Sequence, residues 1–501
     1  MKKVCCATYE ALEAKVVEVE STLTKGLPSF SIVGMVSTSI NEAKERVKSA
    51  LLCNNFTFPP KRITINLAPS DLKKEGSHFD LSIALLIALD DAECELDGWF
   101  VFGELSLDGS LRENNQLYAL ILSLAKERSI QRAIVPFESL DKLANIPSIE
   151  LYGAKTLDDV VQFFKNSTPL HKVEAQTISE PSLHIGDKHY FYHTRYELDF
   201  LDVRGQEIAK RAALIAAAGL HNLLLEGSPG CGKSMIASRI RYILPPVSSG
   251  ELLEIAKLET LDLKEPSFHA LRPFRSPHHT STSASIFGGG SHKARIGEVG
   301  LAHLGVLFFD ELPHFGKGVL EALREPLQDN RIRISRVNAK VEYPSEFLFV
   351  GAMNPCPCGN LLSNKLECRC NDLELNRYKN RLSDPFLDRI DLYVKMQSVS
   401  ADDKSSLSSK EMHTKVLEAF AYQKARSQKR ANAKLSDEEI ERFCMLEPEA
   451  EDILRLATER FVLSFRSINN LKKIARSIAD LSSSEMIAKE HMLEALSYRR
   501  R

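Results

Sequence analysis

The stretch HNLLLEGSPGCGKSMIASRIRYIL (221–244) decides the fold, because it reads strand, glycine-rich loop and helix in that order. Its loop, GSPGCGKS (227–234), fits the pattern G-x-x-x-x-G-K-[ST]. Glycines let such a backbone fold tightly around phosphate oxygens, while the loop N–H groups and the helix N-terminus supply positive potential. The sequence therefore predicts a phosphate-binding loop made of Gly227, Ser228, Pro229, Gly230, Cys231, Gly232, Lys233 and Ser234.

This loop predicts ATP and Mg²⁺ as ligands. Lys233 is expected to hold the β- and γ-phosphates, and Ser234 is expected to bind Mg²⁺. The alternative is a chance glycine-rich turn. The strand before the loop and the helix after it favour the phosphate site.

Polar residues end two further apolar runs, GVLFFDEL (305–312) and FLFVGAMN (347–354). Asp310 is predicted to hold Mg²⁺, and Glu311 to act as the general base on the attacking water. Asn354 is predicted to orient water near the γ-phosphate. Each of these residues could instead belong to an ordinary turn. Because they follow a phosphate-binding loop, the functional interpretation is favoured.

These short apolar runs suit buried parallel strands, and the helical segments between them predict a doubly wound α/β domain. The N-terminal part also alternates strand-like and helix-like segments, and the C-terminal part has helical composition. The sequence predicts the following organisation: an N-terminal α+β domain over 1–165, a linker over 166–195, a P-loop core over 196–397, a hinge over 398–410 and a helical lid over 411–501.

Composition excludes several classes of protein. The formal net charge of the 501 residues is −2, so no global basic field attracts nucleic acid, and any such contact must come from local loops. The N-terminus lacks an apolar signal core, and no run of about 18 apolar residues occurs. We therefore expect a cytoplasmic protein without a membrane span. Its ten cysteines are then expected to be thiols or metal ligands rather than disulfides.

Four of these cysteines are closely spaced in CPCG (356–359) and ECRC (367–370). Four thiolates can close a tetrahedral structural Zn²⁺ site, although the one-residue spacer is tighter than is usual in zinc motifs. The alternative is a set of free thiols. The candidate Zn²⁺ ligands are Cys356, Cys358, Cys368 and Cys370.

From about residue 196 to 480 the chain resembles the magnesium-chelatase-like branch of AAA+ proteins, and over its whole length it resembles the ComM/YifB family. Several long strings carry the resemblance: LDFLDVRGQEIAKRAALIAAAGLHNLLLEGSPGCGKS, RPFRSPHHTSTSASIFGGG, GEVGLAHLGVLFFDELPHF, GAMNPCPCG, RLSDPFLDRIDLYV and FRSINNLKKIARSIADL. It implies the metal, water and phosphate roles given above and makes Asn354 sensor 1. It further implies that Arg389 is an arginine finger supplied to a neighbouring subunit and that Arg466 is sensor 2.

The resemblance also implies a homo-oligomer, a hexameric ring motor that promotes branch migration of DNA during natural transformation. Branched or single-stranded DNA would bind through loops at the pore, and recombination proteins are candidate partners. Two alternatives stay open: a metal-insertion ATPase like the chelatase subunit, and an ATP-switched scaffold that recruits recombination proteins.

Two segments, 272–297 and RIRISR (331–336), are candidates for these pore loops, because such insertions face the pore in related rings. Their contacts would be salt-sensitive and independent of sequence. The alternative is an ordinary solvated loop. The candidate residues are Arg275, His278, His279, Phe287, Lys293, Arg295, Arg331, Arg333 and Arg336.

The N-terminal domain resembles the Lon-type serine protease domain, most clearly at KKEGSHFDLSIALLIA and GELSLDGSLREN. His78 falls where that family has its nucleophilic serine, with Ser77 adjacent, and Tyr118 falls where it has the catalytic lysine. A Ser/Lys dyad cannot work without its amine. We therefore expect a binding or assembly module rather than a protease.

Overall fold

A computed structural model describes residues 2–10, 13–174, 178–289, 295–335, 340–362, 366–397 and 404–500. Lys293, Arg336 and hinge residues 398–403 lie outside these ranges, and the side chain of Arg295 is also not described. The described chain divides into two units. The first comprises residues up to Ser179 together with Ala256–Phe268, and the second comprises Glu180–Ile255 and His269 onwards.

The first unit contains a mixed eight-stranded sheet. Its strands are β1 (Lys2–Glu10), β2 (Glu13–Thr24), β3 (Ser29–Val33), β4 (Arg62–Ala68), β5 (Trp99–Val101), β8 (Arg132–Pro136), β9 (Glu150–Ala154) and β10 (His171–Val173), with a separate pair β6 (Glu104–Leu105) and β7 (Leu111–Arg112). The order across the sheet is β10-β9-β8-β5-β1-β2-β4-β3. In β4, alternate residues Ile63, Ile65 and Leu67 are buried, as the period of a half-covered strand requires.

Five helices of the first unit are α1 (Thr38–Cys53), α2 (Asp80–Ala88), α3 (Leu117–Lys126), α4 (Leu140–Leu143) and α5 (Leu157–Phe164). The sequence pattern predicts strands at 16–20, 29–34 and 62–69 and helices at 39–53 and 79–89, and each of these elements is present. Strand β2 extends three residues before and four residues after its predicted range, whereas the other ends agree to within one residue. Almost every residue of α2 is buried, which matches its run of apolar residues.

Segment 166–195 differs from the linker that its composition predicted. Strand β10 joins the edge of the first unit's sheet beside β9. The following residues form the hairpin β11 (Ser182–Ile185) and β12 (Lys188–Phe191), and β12 pairs with β14 (Val247–Ser248) of the second unit. Three parts of this segment therefore pair in sheets, which a pattern without period did not reveal.

The second unit is built on a five-stranded parallel sheet. Its strands are β13 (Leu223–Gly227), β15 (Phe274–Arg275), β18 (Val306–Phe309), β21 (Leu348–Met353) and β22 (Leu392–Met396), in the order β15-β18-β21-β13-β22. Two hairpins lie outside this sheet: β16 (Gly288–Gly289) with β17 (Arg295–Ile296), and β19 (Arg331–Ser335) with β20 (Lys340–Pro344). This architecture confirms the predicted doubly wound α/β core.

Helices cover both faces of this sheet. They are α6 (Glu207–Gly219), α7 (Lys233–Ile240), α9 (Ser283–Phe287), α10 (Glu298–Leu301), α11 (Lys317–Ala322), α12 (Arg324–Asp329), α13 (Asp372–Lys379), α14 (Asp384–Leu387), α15 (Ser409–Ala425), α16 (Asp437–Phe443), α17 (Pro448–Phe461), α18 (Phe465–Leu481) and α19 (Lys489–Ser497). Helix α8 (Ser249–Leu261) contains the boundary between the two units of the chain. None of the described helices is both long and apolar enough to cross a membrane.

The two faces of the sheet can be read from alternate residues of its strands. Leu223 and Leu225 lie in one buried cluster, whereas Leu224 lies in another. The first cluster also contains residues of α6, α15 and α18, such as Met412 and Ile474. The C-terminal segment is therefore helical, as predicted, and its helices share a hydrophobic core with one face of the sheet.

Candidate nucleotide site and cysteine cluster

The predicted phosphate-binding residues meet at the carboxyl ends of the parallel strands. Lys233 begins α7, and its ammonium group donates hydrogen bonds to the carbonyl oxygens of Gly227 (2.6 Å) and Ser228 (3.1 Å). It also donates to Oδ1 of Asn354, 3.1 Å away, just after β21. Strands β13 and β21 are neighbours in parallel register, so their ends bring the loop lysine and the asparagine together.

The loop backbone needs its glycines. Gly230 and Gly232 have φ values of +79° and +93°, which glycine adopts without the strain that a Cβ would cause. No atom lies within 4 Å of the position that a Cβ would take at either residue, so there is open room above the loop. The hydroxyl of Ser228 is buried without a hydrogen-bond partner among the described residues. A phosphate group fits this cradle.

The residues predicted to hold Mg²⁺ are also adjacent. The Ser234 hydroxyl donates to Oδ2 of Asp310, 2.7 Å away, at the end of β18. One hydroxyl and one carboxylate at the edge of a phosphate loop are hard oxygen ligands of the kind that Mg²⁺ prefers beside nucleotide phosphates. The residues present therefore fit a magnesium nucleotide.

Glu311 stands beside this pair in a left-handed backbone conformation, with φ +51°. Its N–H donates to Oδ1 of Asp310 (2.9 Å), which fixes the turn. Its side chain is about half exposed, and Oε2 lies 3.4 Å from Nδ1 of His279. The carboxylate that was predicted to be the general base is thus held next to a histidine from the segment that was predicted to contact DNA.

The two predicted arginines lie elsewhere. The side-chain amide of Asn222 donates to the carbonyl oxygen of Arg389 (2.8 Å), and Asn222 immediately precedes β13. Arg389 is therefore at the amino ends of the parallel strands, whereas the phosphate loop is at their carboxyl ends. The structure does not bring Arg389 to the phosphate site of its own chain.

Arg466 lies close to Arg389. Burial, together with the positive charges of Arg466 and Arg324, lowers the pKa of Arg389, so these guanidinium groups are close enough to repel one another. Arg466 also lines a cavity of about 370 Å³ with Asp384, Asp388 and other residues of α14, α18 and α19. We call Arg324, Arg389 and Arg466 the arginine edge; Arg324 also pairs with Glu321 at 2.7 Å.

The four predicted metal ligands converge within 4.8 Å of one another. The Sγ distances are 3.4 Å for Cys356–Cys358, 3.6 Å for Cys358–Cys368 and 3.7 Å for Cys368–Cys356. Four thiolates around one Zn²⁺ at about 2.3 Å lie about 3.8 Å apart, so these distances fit a closed tetrahedral site. Hydrogen bonds from the backbone of Asn360 and Arg369 lower the pKa of Cys358 to about 6, which favours the thiolate.

Comparison with known proteins extends over the whole chain. A family model described as "Magnesium chelatase, subunit ChlI" matches residues 199–404, and its C-terminal counterpart matches 406–499. A third, "Subunit ChlI of Mg-chelatase", matches 19–139. The chain is 39% identical to competence protein ComM of Haemophilus influenzae over 97% of its own length and 95% of that protein.

The protein YifB of Escherichia coli is likewise 39% identical over 97% of this chain and 95% of its own. The chain belongs to the ComM/YifB family. Similarity to the magnesium-chelatase 67 kDa subunit of Heliobacterium mobile is weaker, at 26% identity over 30% of this chain and 27% of that subunit. This chain therefore has a magnesium-chelatase-like AAA+ core, and its N-terminal unit also matches a model named for the same subunit over 19–139.

For this member of the family, three of the arginines that were predicted to contact DNA form ion pairs within the chain. Arg275 forms a two-pronged ion pair with Glu298, at 2.6 and 2.8 Å. Arg331 and Arg333 both pair with Glu342 across the β19–β20 hairpin, at 3.1 and 3.0 Å. The hairpin arginines remain exposed, whereas Arg275 is mainly an internal anchor.

In the N-terminal unit, the residues at the protease-like positions are buried. Nε2 of His78 is 2.8 Å from the carbonyl oxygen of Ala7, and burial lowers the pKa of His78 to about 4. Ser77 donates a hydrogen bond to the carboxylate of Glu104. Tyr118 is 3% exposed and packs against Phe268. The absence of protease activity in this unit stays a prediction.

Sequence reasoning missed two features of the site. The sequence predicted that His279 contacts DNA, but it did not predict the contact of His279 with Glu311, which comes 32 positions later in the chain. The contact between Gly359 of the cysteine cluster and Pro229 of the phosphate loop was not predicted either. The paired histidines of SPHHTS were a visible signal for the first, but nothing in the sequence indicated the second.

Proposed function

We propose that this protein is an ATP-hydrolysing ring motor that drives branch migration of DNA. The observation that carries the proposal is the 39% identity to competence protein ComM over nearly the full length of both proteins. The loop, Ser234–Asp310 pair and adjacent Glu311 support ATP hydrolysis, because they provide a phosphate cradle, a metal site and a base in one place.

Each residue has a distinct part in the proposed reaction. The backbone of the loop and Lys233 bind the β- and γ-phosphates, and Lys233 exchanges its carbonyl partners for phosphate oxygens. Ser234 and Asp310 hold Mg²⁺, which neutralises charge on the phosphates when bound. Glu311 accepts a proton from the attacking water, and Asn354 orients that water and keeps Lys233 in place.

Arg389 and Arg466 complete the site of a neighbouring subunit in this proposal. Both lie at the end of the sheet opposite the phosphate loop, which supports a role at the nucleotide held by another copy of the chain. A closed ring, a hexamer in our proposal, allows every subunit to supply one loop and one arginine edge. A guanidinium given in trans stabilises charge that develops in the transition state.

DNA is proposed to bind in the ring through the exposed loops. The exposed hairpin residues Arg331 and Arg333 and the segment around His278 are the described candidates. Their contacts would be with phosphates, so binding should weaken steeply as salt rises. Single-stranded or branched DNA that enters recombination during transformation is the proposed substrate, and recombination proteins are the proposed partners of the N-terminal unit.

The cysteine cluster is proposed to bind one structural Zn²⁺. Its four thiols are within 4.8 Å, and together they would fill all four positions of a tetrahedral ion. Since a closed site leaves no position for water or substrate, the ion would stabilise the fold of segment 356–370 rather than take part in hydrolysis.

Branch migration on a synthetic four-way DNA junction tests the proposal. We expect ATP-dependent separation of the junction by the unmodified protein and none by Lys233→Ala. A matched control is Lys264→Ala, because Lys264 is exposed and pairs only with its neighbour Asp262 among the described ion pairs. Absence of separation over a range of salt and protein concentrations, in a protein that hydrolyses ATP, would count against DNA as the substrate.

A metal-insertion ATPase is the second candidate, because all three matching family models are named for the chelatase subunit. Similarity to the magnesium-chelatase 67 kDa subunit of Heliobacterium mobile covers 30% of this chain, whereas similarity to ComM covers 97%. Insertion of Mg²⁺ into a porphyrin in the presence of partner chelatase subunits would support this alternative over the DNA motor.

A further inference from the structure

The cysteine cluster touches the phosphate-binding loop. Gly359, next to Cys358, has φ +78°, and a Cβ at this position would lie 2.6 Å from Cδ and 2.8 Å from Cγ of Pro229. Only a residue without a side chain permits this approach. Pro229 is the third residue of the loop, so the turn that carries two of the thiols packs directly on the phosphate cradle.

A second connection runs through Asn354. This residue is two positions before Cys356, and its amide accepts the hydrogen bond from Lys233 at 3.1 Å. The intervening segment, Asn354–Pro355–Cys356, contains a proline and a buried cysteine, which leave it little conformational freedom. A bond that fixes the position of Cys356 therefore also restricts Asn354, which accepts the hydrogen bond from Lys233.

A third connection comes from the other pair of thiols. Helix α13 begins two residues after Cys370, and its start is fixed by a capping box between Asn371 and Glu374. Near the end of this helix, Tyr378 is 4% exposed, and burial raises the pKa of its hydroxyl to about 12 while the nearby backbone of Asn354 lowers it, so this hydroxyl lies close to Asn354. Cys368 and Cys370 are thus also connected, through α13 and Tyr378, to the end of β21.

We propose that a Zn²⁺ ion in the cluster of Cys356, Cys358, Cys368 and Cys370 braces the nucleotide site, so that nucleotide affinity depends on the metal. By joining two chain segments, the ion holds Gly359 against Pro229 and fixes Asn354 beside Lys233. Without the ion, nothing joins the four thiols. The contact of Gly359 with Pro229 and that of Asn354 with Lys233 are then held less firmly. The inference deepens the proposed function, since it rests on the proposed ATP site.

The first experiment measures metal and nucleotide separately. Purified full-length protein should contain one equivalent of zinc by elemental analysis. Removal of this zinc with a chelator should weaken binding of a fluorescent ADP analogue at least tenfold, and added Zn²⁺ should restore the binding. Cys368→Ser should behave like the zinc-free protein. Cys53→Ser, which replaces an exposed cysteine far along the chain from the cluster, is the matched control and should behave like the unmodified protein.

The second experiment tests the contact rather than the thiols. Gly359→Ala inserts a methyl group into the space of Pro229 and should weaken binding of the ADP analogue about tenfold while one equivalent of zinc is kept. Pro229→Ala removes the contacted ring, so nucleotide affinity in this variant should respond less to zinc removal than in the unmodified protein. Pro229→Ala decides the matter if Gly359→Ala loses its zinc, and the affinity of zinc-loaded Gly359→Ala decides it if zinc-free protein unfolds.

Three results would overturn the inference. One is protein that neither contains zinc nor binds it in a titration. Another is zinc-free, folded protein with unchanged affinity for the ADP analogue, and the third is a Pro229→Ala variant with an undiminished response to zinc. Failure of the proposed function looks different, because zinc-loaded protein would then not bind the ADP analogue at all.

Discussion

Arg389→Ala provides the sharpest test of a shared ATP site. Strand β13 has five residues and rises about 3.3 Å per residue, so it separates its two ends by about 16 Å. Arg389 is held by Asn222 at one end, and the phosphate loop starts at the other. This distance is longer than an arginine side chain. We therefore expect Arg389 to act only on the nucleotide of a neighbour.

The expected size of the effect follows from the charge that Arg389 supplies. An arginine finger contributes about 10³- to 10⁵-fold to the rate of phosphoryl transfer, which corresponds to about 4–7 kcal/mol of transition-state stabilisation. Arg389→Ala should therefore lower the turnover number of ATP hydrolysis by at least about 10³-fold. Its affinity for nucleotide should change little, because Lys233 and the loop backbone are intact.

Mixing two inactive variants then separates a shared site from an internal one. A subunit with Arg389→Ala has an intact loop, and one with Lys233→Ala has an intact arginine. In an equal mixture with random assembly, about one quarter of the interfaces combine both intact groups, so activity should recover to about a quarter of the normal value. Arg455→Ala, at an exposed arginine of α17, is the control and should have normal activity. The shared site is refuted if Arg389→Ala hydrolyses ATP at the normal rate or if mixing restores nothing.

Three further predictions follow from single side chains. Glu311→Gln should bind a fluorescent ATP analogue normally but hydrolyse ATP at least about 100-fold more slowly, because the general base is lost; DNA branch migration that persists in this variant would favour a scaffold over a motor. His279→Ala should lower the turnover number about tenfold with little change in KM, since His279 is 3.4 Å from Glu311 and contacts the base rather than the phosphate loop; an equal loss in the Glu311→Gln background would contradict this role. Burial lowers the pKa of His413 to about 3, so as the pH falls the unfolded chain takes up a proton on this histidine before the folded protein does. The free energy of unfolding should therefore fall between about pH 6.5 and pH 3, by up to about 1.4 kcal/mol per pH unit. His413→Leu should flatten this slope in urea denaturation measured at several pH values.

The strands and the loop were accessible from sequence because their determinants are local. A buried parallel strand needs an unbroken apolar run, as in LLLEG and VLFF, and the loop needs glycines at fixed spacing before a lysine. The polar residues Asp310 and Asn354 could be placed at one edge because neighbouring parallel strands end at the same side of a sheet. The strands within 166–195 could not be predicted, because the pairing of β10 and β12 depends on strands outside this segment.

The sequence by itself determined the residue types available to the proposed nucleotide and zinc sites, because a phosphate cradle, a metal site and a tetrathiol cluster require particular residue types at close spacing. Only the tertiary structure decided which groups work together. It placed Arg389 and Arg466 at the end of the sheet opposite the loop, His279 beside Glu311 and Gly359 against Pro229. These relations join residues that are far apart in the chain, and packing of the sheet, which no local pattern encodes, sets the distances between them.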